Sequence, residues 1–109
     1  MSKASFWQKG EALDYTNNTT ALIEANTIMV IGDRIGVAGT DIPPGGLGSV
    51  IVGGAVFEMP KTGTDEIAIG KEVFWDGNGI TDASGGTKAG YAAQTAEASA
   101  TKILVNINA

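Results

Sequence analysis

The stretch Lys102-Ile103-Leu104-Val105-Asn106-Ile107-Asn108 decides the fold class. Ile103, Val105 and Ile107 alternate with Leu104, Asn106 and Asn108, the two-residue period of a strand with one face buried. Working back toward the N-terminus, similar short runs recur between clusters of turn residues. The clusters are Asn17-Asn18, Gly32-Asp33, Pro43-Pro44-Gly45-Gly46, Gly53-Gly54, Lys61-Thr62-Gly63, Asp76-Gly77-Asn78-Gly79 and Gly85-Gly86. The runs between them, rich in Val, Ile, Phe, Trp and Thr, predict strands near Ser5–Lys9, Thr27–Ile31, Arg34–Ala38, Gly48–Val52, Val56–Met59, Glu72–Trp75 and Lys88–Ala92. Short strands punctuated this closely predict an all-β fold, a small Gly-rich barrel or sandwich of antiparallel strands. The Ala-rich segment 91–101 reads as a connection rather than a helix, because its apolar residues are small and it lies between strands.

A weak internal echo accompanies the pattern. Ile28–Ile31, a Gly turn, Ile35–Ala38, a loop and Val50–Val52 form one unit. Val73–Trp75, a longer Gly-containing turn, Ala89–Ala92, a loop and Ile103–Val105 form another. Two three-strand meanders would build a small barrel, although any Gly-rich β protein shows such echoes. The expected organisation is an N-terminal arm and first strand over residues 1–20, followed by a single β domain over residues 21–109. A chain of 109 residues has room for one domain.

Composition closes many routes to chemistry. With no Cys there is no disulfide framework, thiolate nucleophile or Cys-ligated metal. With no His there is no Ser-His-Asp triad and no imidazole base or ligand. Seven basic residues against twelve acidic ones give a net charge of −5. They form no basic stripe to neutralise phosphates, so neither nucleic acid nor an anionic membrane is an expected partner. No run approaches the length of a membrane span, and the start of the chain has no apolar h-region, so no signal peptide is expected.

The remaining motifs have plain readings. Gly70-Lys71 lacks the upstream Gly and the following Ser or Thr of a phosphate-binding loop, and Glu72 would repel phosphate. Asp76-Gly77-Asn78-Gly79-Ile80-Thr81-Asp82 has oxygen ligands at calcium-like spacing, but lacks a closing Glu and reads as a turn. Asp65-Glu66, Glu11, Asp14 and Glu24 could offer paired carboxylates, yet nothing in the sequence sets two of them across a cleft. No catalytic residue, metal or cofactor is expected.

The N-terminal stretch is different. It is polar yet carries Phe6 and Trp7 side by side, which on a strand would point to opposite faces. Either Phe6 is core and Trp7 a partly exposed edge residue, or the segment is a partner-binding arm.

Several segments, in their order, resemble the small capsid cement, or decoration, proteins of tailed bacteriophages. They are Val30–Gly45, Gly48-Ser49-Val50, Gly54-Ala55-Val56-Phe57-Glu58-Met59-Pro60-Lys61, Ile69–Asp76, Ala89–Ala92 and the N-terminal Gly10–Thr16. The Val-Phe-Glu-Met-Pro-Lys and Val-Phe-Trp-Asp segments are the most specific. Some members carry a RecA/RadA-like recombinase label, which the absent phosphate loop does not support here. The resemblance implies a non-enzymatic structural virion protein, made in the host bacterial cytoplasm. It would bind the major capsid protein on the outside of an icosahedral shell, as a homotrimer at threefold or quasi-threefold positions. Within that reading, Lys3, Phe6, Trp7 and Lys9 are the expected capsid-binding residues, with the two aromatics as anchors. A β-barrel adhesin or receptor-binding module is the rival expectation. Phe57 and Trp75 are expected to fill the core.

Overall fold

The computed structural model describes residues 2–109 and contains nine strands and, among those residues, no helix. The strands are β1 (Ala12–Thr16), β2 (Ile28–Ile31), β3 (Arg34–Ala38), β4 (Leu47–Ile51), β5 (Val56–Pro60), β6 (Glu72–Trp75), β7 (Ile80–Thr81), β8 (Thr87–Ala92) and β9 (Lys102–Ile107). They form two antiparallel sheets, one in the order β1-β4-β3-β2 and one in the order β5-β9-β8-β6-β7. The two-residue alternation holds in β9, where Ile103, Val105 and Ile107 are buried. Segment 91–101 beyond β8 is irregular, as its small side chains suggested.

The expected strand over Ser5–Lys9 does not form; that segment has no secondary structure. Its backbone finds no partner strand in its own chain, and an unpaired strand has nothing to stabilise it. Strand formation starts instead at Ala12, in β1, which pairs with β4 from Ala12↔Ile51 to Thr16↔Leu47.

The weak sequence echo corresponds to a structural duplication. β1-β4-β3-β2 and β5-β9-β8-β6 have the same strand order and matching registers, Leu13↔Val50 with Phe57↔Val105 and Met29↔Gly36 with Val73↔Gly90, up to a one-residue shift after Val73. The connections repeat too. Ile23 bridges Ile42 as Ile67 bridges Ala96, each pair exchanging two backbone hydrogen bonds. A tight turn follows each of these four residues, closed by the amide of Thr27, Gly46, Lys71 or Ala100 donating to the carbonyl three residues earlier. Even a side-chain cap recurs, with Ala25 N donating to Asp41 Oδ1 and Ile69 N to Thr95 Oγ1.

The halves differ at one hairpin. β2 and β3 are joined by the two-residue turn Gly32-Asp33, since Ile31 pairs with Arg34. β6 and β8 are joined by the longer Asp76–Gly86, which contributes β7 along the outer edge of β6. β7 also reaches the end of β5 through one parallel bridge, Lys61↔Ile80. A single bridge does not close a barrel, so of the two expected architectures the protein adopts the sandwich.

The sheets meet where β3 lies against β8. Ile35 and Val37 of the first sheet pack with Val73, Ala89, Val105 and Ile107 of the second in one apolar cluster. Asn108, at φ 55°, fastens the seam by donating from Nδ2 to Ile35 O (2.8 Å) and Val52 O (2.7 Å). Phe57 and Trp75 do not fill the core as expected. Both are half-buried against its margin: on β5 the fully buried side chain is Met59, and Trp75 ends β6 where the chain leaves the sheet.

Candidate functional site

The chemistry-like motifs have local structural roles. Gly70 sits at φ 86° in a turn, and its amide donates to Ala92 O (2.7 Å) while that of Lys71 donates to Ala68 O (3.1 Å). Those amides are spent on carbonyls and cannot cradle phosphate. Asp76 is the hub of its turn. Its Oδ1 accepts from the amides of Asn78 (2.8 Å) and Gly79 (2.9 Å), and its Oδ2 from the Thr62 hydroxyl (2.7 Å). The Asn78 amide first, then the Thr62 hydroxyl, hold the carboxyl below the usual carboxylate range. Glu11, Asp14, Glu24, Asp65 and Glu66 are all exposed. Among the described residues no three acidic side chains gather into a metal-binding group.

The two buried polar side chains occupy equivalent places after β1 and β5. Asn17 Nδ2 donates to Ala21 O and Ile42 O, both at 2.8 Å, while its Oδ1 accepts from the amide (2.9 Å) and hydroxyl (2.6 Å) of Thr19. Lys61 runs beneath the second sheet's connection and places Nζ 3.4 Å from Ala98 O. Both tie loops to strands; neither faces a cavity that would admit a reactant.

The arm is the exception to this tidy accounting. Lys3, Phe6, Trp7 and Lys9 all lie exposed on irregular chain, with Phe6 86% and Trp7 89% accessible. A contact from Gln8 Nε2 to Ala12 O, at 3.3 Å, links the arm to β1. The structure thus brings the four residues together on one segment without seating any of them. Elsewhere large apolar side chains are exposed singly, including Leu47 (68%), Ile69 (64%) and Val30 (51%). Sequence reading had marked the arm but not Val30, whose exposure follows from its place on an outer strand.

The class so defined is a small two-sheet β protein with an unseated aromatic arm. The family model for phage cement protein matches residues 7–107, and the chain belongs to that family. Membership gives it a structural role associated with the phage capsid. No curated protein and no solved structure matched the chain.

Proposed function

We propose that this protein binds the outer surface of an icosahedral phage capsid and stabilises it, with the major capsid protein as its substrate surface. It acts as a homotrimer at threefold or quasi-threefold positions, on virions assembled in the host bacterial cytoplasm. Family membership supports the capsid role. The observation that carries the mode of action is the arm: two large aromatics, flanked by Lys3 and Lys9, nearly fully exposed on a segment without a partner.

Exposing two such side chains forgoes on the order of 1.5–3 kcal/mol of burial each. A segment of this kind recovers that free energy by docking in trans, and aromatic anchors dominate such contacts. Lys3, Phe6, Trp7 and Lys9 are therefore assigned to attachment on the decorated shell. Many copies acting together make modest individual contacts sufficient. No reaction is assigned to the protein.

A variant lacking residues 2–9 tests the reading. It should keep the far-UV spectrum of the parent, since the arm contributes no strand, and should fail to decorate naked capsids. Full decoration by that variant overturns the arm's role. Density for the intact protein confined to twofold axes of decorated particles overturns the trimer.

A further inference from the structure

The duplication supplies a template for where a strand is missing. In the second half, β7 covers the outer edge of β6 through Phe74↔Thr81 and Trp75↔Ile80, and Thr62 N donates to Ile80 O at 2.9 Å. The equivalents in the first half are Val30, Ile31 and Asn18. The short Gly32-Asp33 turn leaves no chain to cover them. Ile31 and Arg34 close a two-residue hairpin and Ala38 N donates to Thr27 O, so bonding toward β3 falls on alternate residues. The amides and carbonyls of Ile28 and Val30 therefore face outward. Among the described residues the Asn18 amide has no acceptor in its own chain, although Thr62 has one.

The open edge borders a groove of about 430 Å³ lined by Val30, Trp75, Asp76 and Thr87. It is apolar at Val30 and Trp75 and acidic at Asp76. The N-terminal arm matches this chemistry. It carries two aromatics and two lysines and no acidic residue, whereas residues 10–109 hold five basic and twelve acidic residues, a net charge of −7. The arm does not use the edge in its own chain, where Phe6 and Trp7 stay exposed.

We propose that the edge of β2 accepts the N-terminal arm of a second copy of this chain as an added antiparallel strand. The added strand takes the place that β7 occupies in the other half, and its apolar anchors lie in the groove beside Val30 and Trp75. Open edges are ready templates for such addition, and the lysines of the arm meet an acidic body. This rests on the reading that the arm acts in trans on the decorated shell, and names its acceptor there as a neighbouring copy instead of the capsid protein itself: the anchors join neighbouring copies, and the linked copies bind the shell together.

The chain has no cysteine, which permits a clean test. Full-length Phe6→Cys and Val30→Cys proteins, distinguishable by a mass tag, are mixed, bound to naked capsids and oxidised. A mixed disulfide dimer, in excess over either self-dimer, is expected. Val30→Pro removes an outward amide and leaves the β3 ladder intact, as proline is tolerated on edge strands. It should decorate at least about tenfold more weakly than the parent, the effect of losing roughly 1.4 kcal/mol. Absence of the mixed dimer overturns the proposal, whether or not Val30→Pro folds. So does a disulfide that forms only within a Phe6→Cys/Val30→Cys double variant, which would put the arm on its own chain. Parental decoration by a folded Val30→Pro overturns it as well. If the variant lacking residues 2–9 fails to decorate while these results are negative, the arm acts in trans on another acceptor. If that variant decorates fully, the parent reading falls with the proposal.

Discussion

The two halves of this molecule share a strand order, a set of registers and four matching turns, yet they are finished differently. The second half encloses its own interior: Ile67, Val73, Ile80, Ile103, Val105 and Ile107 are all buried there. The first half lends Ile35 and Val37 to that same cluster and keeps a smaller buried set of its own, Ala38, Ile42 and Val50. One hairpin accounts for much of the contrast. The Asp76–Gly86 connection places Ile80 in the core and covers β6, whereas Gly32-Asp33 reverses the chain at once and leaves β2 bare. A duplicated unit thus acquires a covered edge on one side and an open edge on the other through the length of one loop. Edges left bare usually call for protection, and β2 is only four residues long.

The sharpest way to break the comparison lies at its centre. Gly36 and Gly90 occupy equivalent positions in β3 and β8, but β8 carries an irregularity opposite Val73/Phe74. Gly90 is consequently at φ 131°, and a Cβ there would fall 1.9 Å from Asn106 O. Backbone cannot step aside cheaply, and the conformation itself is foreign to L residues. Gly90→Ala should cost about 3–5 kcal/mol, combining strain with overpacking. At Gly36 the φ is ordinary and the nearest atom is Val50 Cγ1 at 2.5 Å, a side chain that can shift. Gly36→Ala should cost about 1–3 kcal/mol. Urea unfolding of both variants checks the asymmetry; equal losses would mean the bulge has no structural weight.

Next in size is the inserted strand. Ile80 is fully buried although it lies in a two-residue strand within a long connection. Ile80→Ala should cost about 2–4 kcal/mol by leaving a cavity among well-packed neighbours. The same truncation at Val30, on the equivalent open edge, should change stability by less than about 0.5 kcal/mol in the isolated protein. Thermal melts of the two variants compare a covered edge with an uncovered one directly.

How much of this was legible in the sequence depends on whether the decisive contact was local. β9 was readable because Ile103, Val105 and Ile107 keep their alternation over a whole strand. The Gly32-Asp33 hairpin was readable because the turn chemistry sits between two apolar runs. β1 was missed because Ala12-Leu13-Asp14-Tyr15-Thr16 has little apolar weight; it is held by β4, far along the chain. Ser5–Lys9 has the aromatics of a strand but no partner strand to receive it. Phe57 and Trp75 read as core because both lie in strands within the most specific segments, while their strand neighbours Met59 and Val73 hold that place. The duplication left only an echo because backbone bonds carry it, and backbone bonds tolerate Ile42 becoming Ala96 or Val37 becoming Tyr91. As for the candidate site, the arm's composition was plain at once. The open edge was not, since it is defined by a strand that one half has and the other lacks.

The buried polar residues give a third comparison. Asn17 satisfies both ends of its side chain, so Asn17→Ala would strand the Thr19 amide and leave Ile42 O and Ala21 O with one donor each, Ile23 N and the Thr19 hydroxyl. A loss of about 1–3 kcal/mol is expected, since four hydrogen bonds of a fully buried side chain go and its space is left unfilled. Lys61 makes one long contact and is otherwise a stem beneath the sheet. Lys61→Met should stay within about 1 kcal/mol of the parent. Similar losses at the two positions, measured by chemical unfolding, would make the lysine head group as important as the amide.

The smallest effect concerns the turn that only the second half possesses. Asp76 accepts hydrogen bonds from the Asn78 amide, the Thr62 hydroxyl and the Gly79 amide, which lower its pKa against an opposing effect of burial. A carboxylate whose folded pKa lies below its unfolded one stabilises the fold fully above the unfolded value. That contribution is lost as pH falls through the folded value. The group is exposed, so water screens it and the contribution should stay below about 1 kcal/mol. Asp76→Asn keeps one carbonyl oxygen for the turn amides but removes the charge. The parent should therefore be slightly more stable than Asp76→Asn at neutral pH, and the gap should close as pH falls through the lowered folded pKa of the carboxyl. Melting both proteins across that range isolates the residue, because it is the one position at which they differ. A gap that persists undiminished at the acidic end would mean that shape, rather than charge, holds the turn that carries β7 to its place.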